Sequence, residues 1–181
     1  MISRPGRHWL AMIGVAASAL PIAAAEAQTA LLSPPIITRF AGRPAPPLAA
    51  RDRAGRPVTL AGTQGKVVIV NLWATWCGPC RAEMPSLERL AARYPGQVVV
   101  IAVANDDGGW PAVDRFWGNR FPHVRAVLAS GPELGEALGV LGLPYSLVLD
   151  RHGRELARVP KAAAWDQGQA KALIAQAVAA R

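Results

Sequence analysis

The run Trp76-Cys77-Gly78-Pro79-Cys80 holds the only 2 cysteines of the chain and stands where an apolar run gives way to helical spacing. Val67-Val68-Ile69-Val70 reads as a buried strand, and the residues from Arg81 to Leu90 carry Met84, Leu87 and Leu90 on one helical face. Both thiols therefore belong at a strand-to-helix junction. There Cys77 meets the unpaired N–H groups and the positive dipole end of the helix, which lower its pKa below the ~8.5 of a free cysteine. Cys80, one turn further on, is expected to be more buried and less acidic. This asymmetry suits a nucleophile that attacks a foreign disulfide and a second thiol that resolves the mixed disulfide. A zinc site would need two further ligands, but no other cysteine exists and His8, His123 and His152 are scattered. A structural disulfide across so short a loop would constrain the unfolded chain little.

A chain of 181 residues is one domain of ordinary size. Its formal charge of +8 comes from 20 basic residues, of which only Lys66, Lys161 and Lys171 are lysine. The arginines are spread along the chain with no basic block, so a solvated basic surface is expected rather than nucleic-acid binding, with an acidic protein partner open. Arg4 and Arg7 precede an apolar stretch from Leu10 to Ala25, and Ala25-Glu26-Ala27 places small residues where a signal peptidase reads. Residues 1–27 therefore read as a signal peptide cut after Ala27. The stretch contains Ser18 and Pro21 and is shorter than the roughly 20 residues that span a bilayer, with an uncleaved N-terminal anchor as the alternative. No cysteine stands near the cleavage site, which excludes a lipoprotein anchor. Either reading places the domain on the exported side, where disulfides persist.

Residues 28–41, with Pro34-Pro35 and no periodicity, read as a flexible spacer, and Gly42-Arg43-Pro44-Ala45-Pro46-Pro47 marks the entrance to a domain over 42–181. Leu48 to Leu60 reads as a hairpin turning at Arg53-Ala54-Gly55. Beyond it the patterning predicts strand 67–72, helix 79–93, strand 98–103, helix 110–120, strand 124–128, helix 133–138, strands 145–149 and 155–159, and helix 165–180. Strands alternating with helices imply an α/β sheet flanked by helices.

The motif Gly42-x-Pro44-Ala45-Pro46, the run from Val70 to Pro85 around the cysteines, and Gly142-Leu143-Pro144 resemble the exported thioredoxin-like proteins of the TlpA and ResA type. The resemblance covers residues 42–181. It implies a thioredoxin-like α/β fold, a central mixed β-sheet flanked by helices, with an N-terminal β-hairpin and a central insertion over 105–123. It also implies a redox disulfide between Cys77 and Cys80 in a periplasmic or membrane-tethered thiol:disulfide oxidoreductase. Such a protein reduces client proteins that carry cysteine pairs, often in cytochrome c or copper-centre assembly. Its electrons come from a membrane thiol reductase of the DsbD or CcdA kind, with no cofactor and no metal, and it touches the membrane only through an N-terminal anchor.

Each matched residue has a physical reading beside the family's. Gly78 and Pro79 let the helix begin tightly, since proline lacks an N–H that the first turn leaves unpaired anyway. Pro85 is expected to kink the helix rather than end it. In the family the proline at Pro144 is cis and leaves the backbone at Leu143 free to pair with an extended substrate segment. Trp76 is expected to line the substrate groove with Gly78 and Pro79, whereas Trp73 packs beneath the site. The family's glutamate at Glu83 tunes the pair, and a partly buried carboxylate with raised pKa there can take the proton of Cys80. The alternative is an acid that favours the first turns of a helix. Thioredoxin often has an aspartate where this chain has Asn71. Tyr145 departs from the threonine or acidic residue common after the cis-proline, which weighs against a cytochrome-specific role. Two other readings stay open: a dithiol oxidant of the DsbA kind, against which the Gly-Pro spacer argues, and a non-catalytic thiolate protein handling metal or haem.

Overall fold

The computed structural model describes residues 37–39 and 42–180. The expected signal peptide, residues 1–27, lies outside them, as does most of the expected spacer. Seven strands form one mixed sheet: β1 (Thr38–Arg39), β2 (Ala50–Arg51), β3 (Val67–Trp73), β4 (Val98–Ala104), β5 (Val124–Ala129), β6 (Tyr145–Leu149) and β7 (Glu155–Val159). Their order across the sheet is β1-β7-β6-β3-β4-β5-β2. The helices among the described residues are α1 (Gly78–Arg93), α2 (Gly109–Trp117), α3 (Glu133–Leu138) and α4 (Gly168–Ala179).

The centre of the sheet follows from composition. β4 is a continuous apolar run, and β3 is one but for Asn71, because each is covered on both faces, as parallel strands joined by crossover helices must be. β6 then pairs antiparallel with β3, and β7 pairs antiparallel with β6. One core face gathers Ile69, Trp73, Met84, Leu87, Leu90 and Trp165. The other gathers Val68, Val70, Ile101, Leu138, Tyr145 and Leu147. Burying each large aliphatic side chain here contributes about 1.5–3 kcal/mol, so the faces of β3 hold α1 firmly on one side and the α3 region on the other.

The predicted elements recur with shifts that have local causes. Thr38–Arg39, inside the segment read as a spacer, pairs antiparallel with Ala157 and Arg158 on β7. The hairpin turns at Arg53-Ala54-Gly55 as read, with Arg51 bridged antiparallel to Pro57 and Asp52 Oδ1 accepting from Ala54 and Arg56 N–H, while β2 also pairs with the end of β5. α2 stops at Trp117 because Gly118 takes φ +49°, a backbone that L side chains rarely adopt. α1 continues through Pro85 to Arg93. α4 begins at Gly168, later than the pattern suggested, because Gln167 takes extended backbone at φ −138° and ψ 166° and serves as its N-cap.

Candidate active site

Cys77 is the N-cap of α1, with extended backbone at φ −82° and ψ 104°, and Gly78 and Pro79 open the first turn. Cys77 and Cys80 are joined by a disulfide. The Cys80 N–H points at Cys77 Sγ, 3.2 Å away, so an orphan donor of the helix start is aimed at the first sulfur. Cys77 is 6% exposed and Cys80 0%, the ordering that the helix position implied. Trp76 beside them stands out from the surface at 69% exposure. A Cβ on Gly78 would meet nothing within 4 Å, so packing does not demand glycine there.

One turn beyond Cys80, Glu83 is 4% exposed and carries three hydrogen bonds. Asn71 Nδ2 donates to Oε1 at 2.7 Å, while the Ala163 N–H and Trp165 Nε1–H donate to Oε2 at 3.0 and 3.2 Å. Burial pushes the Glu83 carboxyl up from the ordinary range to about 7, against these bonds, which pull it down. The group therefore changes charge near neutral pH, a property the simple helix-terminus reading does not supply. Asn71 also donates to Ser146 Oγ at 2.9 Å across the β3–β6 register, and its Oδ1 has no partner.

Leu143-Pro144 leads into β6 and its peptide bond is cis. Tyr145 pairs in register with Leu72, two residues before the Ala74–Cys77 loop, so the two loops emerge at the same end of the sheet. Leu143 packs against both core clusters, including the one that contains the cysteines. Tyr145 itself turns to the opposite face, where its hydroxyl donates to Leu138 O at 3.4 Å and Arg158 Nη1 reaches the same carbonyl at 3.0 Å. The departure at this position therefore puts no phenol on the cysteines' face. Trp73 lies buried under the site against Phe116 and Trp117, with ring centroids at 5.3 and 5.5 Å.

Trp165, Ser146 and the Ala163 backbone were missed by sequence reasoning. Ser146 had a signal: Asn71 is a polar residue inside an otherwise apolar strand, and such a residue needs a buried partner. Trp165 had none, since it reaches Glu83 from 82 residues away along the chain.

Residues 40–172 match the family model described as Redoxin. Over 121 residues the chain is 31% identical to the thiol-disulfide oxidoreductase ResA of Bacillus thuringiensis subsp. konkukian, covering 65% of this chain and 68% of the relative. It is 42% identical over 114 residues to the thioredoxin-like protein YneN of Bacillus subtilis, covering 62% of this chain and 66% of that one. A solved structure of a candidate thiol:disulfide interchange protein DsbE from Chlorobium tepidum superposes with a TM-score of 0.68 at 27% identity, over 78% of this chain and 99% of that one. With a CxxC disulfide at the head of α1 in a thioredoxin-like sheet, the chain belongs to the Redoxin family and is a thiol:disulfide oxidoreductase of the ResA/TlpA kind.

Proposed function

We propose that the protein works on the exported side of the inner membrane as a reductant of disulfides in client proteins. The Cys77–Cys80 pair at the head of α1, with the buried Glu83 carboxyl one turn beyond it and held by Asn71, Ala163 and Trp165, is the observation that carries this reading. In the first step the Cys77 thiolate attacks one sulfur of a client disulfide, forming a mixed disulfide and releasing the other client sulfur as thiolate. In the second, Cys80 passes its proton to Glu83 and attacks Cys77 Sγ. The Cys77–Cys80 disulfide forms and the client leaves with two electrons gained. Asn71, Trp165 and the Ala163 N–H hold the carboxyl in place for that transfer.

The exposed Trp76 ring, the open surface at Gly78 and Pro79, and the backbone at Leu143-Pro144 form the surface on which a client segment lies. Export rests on the pattern of residues 1–27, and no helix among the described residues is long and apolar enough to cross a membrane. Each turnover leaves the pair oxidised, so a thiol donor must restore it. A membrane reductase of the DsbD or CcdA kind fits that need, and cytochrome c or copper-centre assembly supplies clients whose cysteines must be reduced.

Expressing Cys80→Ser in the native periplasm tests the assignment, because this variant keeps the nucleophile and removes the thiol that releases the client. The expected product is a mixed disulfide on Cys77 with a protein that carries a CxxC or CxxxC pair. Trapping on Cys80 in a Cys77→Ser variant instead would reverse the two roles.

A further inference from the structure

Asp106 follows the end of β4, and its carboxylate takes both donors of Thr75. The Thr75 N–H reaches Oδ2 at 2.8 Å and the hydroxyl reaches Oδ1 at 2.6 Å. The neighbouring Asn105 N–H donates to Trp73 O at 2.8 Å, so the end of β4 is laced to the cysteine loop at two successive residues. Thr75 lies two residues before Cys77, a span of at most about 7 Å. A negative charge is thereby fixed beside the loop that carries the first sulfur.

Fastening the loop needs hydrogen bonds but not a charge, since an amide could accept from the Thr75 N–H through its oxygen and donate to the Thr75 hydroxyl through its nitrogen. The charge has a separate consequence. The start of α1 favours the Cys77 thiolate, and a nearby carboxylate opposes it. Other charged groups on the elements packed around the pair are Arg81 and Glu83 on α1, Asp107 beside Asp106, and Lys161 and Asp166 on the segment that covers Glu83. Of these, Asp166 is held by Arg89 and Glu83 by its three donors.

We propose that Asp106 is a positioning residue whose bonds to Thr75 hold its negative charge beside the Cys77 loop. It fixes the Cys77 loop and keeps the Cys77 thiol less acidic than the helix start alone would make it, which holds the pair on the reducing side. The proposal rests on Cys77 being the exposed nucleophile.

The test follows alkylation of the fully reduced protein by iodoacetamide against pH, with the labelled cysteine located by peptide mass spectrometry. Asp106→Asn fills the same volume and still offers Thr75 an acceptor. Its profile is expected to move to lower pH, so that below the wild-type midpoint Cys77 reacts about threefold faster. Thr75→Val keeps the charge and removes one hydrogen bond, and its profile is expected not to move to lower pH. Superimposable profiles for wild type and Asp106→Asn would overturn the proposal. Label on Cys80 instead would overturn the nucleophile assignment beneath it, a distinguishable result. Should Asp106→Asn fail to fold, the carboxyl ¹³C signal of Asp106 in reduced wild type provides the second measurement. It is expected to step at the pH where Cys77 ionises and to lose that step in Cys77→Ser, and a signal without the step would overturn the proposal.

Discussion

Asn71 Nδ2 stands 2.7 Å from Glu83 Oε1, joining a polar residue in the middle of β3 to a carboxyl on α1 as one buried unit. Asn71 is 0% exposed. An amide at this position donates to the carboxylate without adding a second charge, which leaves Glu83 as the group of this pair that titrates.

Replacing Glu83 by glutamine is therefore expected to flatten two pH profiles. Glu83 is raised from the ordinary 4.5 to about 7, so the folded state binds this proton more tightly than the unfolded chain does. Stability from this source is fully present below about pH 4.5 and is lost as pH rises through about 7, a change on the order of 3 kcal/mol. Denaturant unfolding at pH 5 and pH 8 should show that loss in wild type and a much smaller one in Glu83→Gln. Disulfide exchange should lose its inflection near pH 7 in the same variant.

Asn71→Asp places a second carboxyl against Glu83. Two acids in contact cannot both ionise cheaply, so one pKa is pushed higher. The exchange profile should shift to higher pH, and the variant should be destabilised more at pH 8 than at pH 5. Equal destabilisation at both pH values would show that the amide acts only as a hydrogen-bond donor to the fold.

Trp165→Phe keeps an aromatic ring in the core and deletes the Nε1–H that donates to Glu83 Oε2. The loss is expected to be about 1–2 kcal/mol at pH 8, where the carboxylate needs its donors, and smaller at pH 5. The inflection in exchange should move up, since a bond that favoured the charged form is gone.

Tyr145→Phe tests the finding that this side chain faces away from the cysteines. Its hydroxyl bonds only weakly, at 3.4 Å, to Leu138 O, so removal should cost about 0.5–1.5 kcal/mol. The exchange rate with a small disulfide should stay within about twofold of wild type. A tenfold loss would place Tyr145 in the chemistry.

The sheet centre and α1 were legible in the sequence because their patterns are local. β4 is an unbroken apolar run and β3 is apolar but for Asn71, and Met84, Leu87 and Leu90 repeat at helical spacing. The cysteines were legible for the same reason. What escaped was set at a distance: β1 exists only through pairing with β7, and the N–H groups of Ala163 and Trp165 bond Glu83 and Ser86 on α1. Glu83 was visible as a partly buried acid with a raised pKa, but not the donors that hold it, since the Ala163 N–H and Trp165 Nε1–H come from about 80 residues further along the chain. Tyr145 stood out as a departure, yet the face it occupies follows from strand register.

The reduction potential of the Cys77–Cys80 couple tests the central claim most directly. The spacers are Gly78-Pro79, no histidine lies between the thiols, and stabilisation of the thiolate comes mainly from the helix start. The reduced form should then be only moderately favoured, with a potential nearer the roughly −270 mV of thioredoxin than the roughly −120 mV of DsbA. Equilibrating the purified domain with glutathione redox buffers, read by tryptophan fluorescence, measures it. A value below about −200 mV is expected of a client reductase, whereas a value above about −150 mV would contradict that role and make the protein an oxidant.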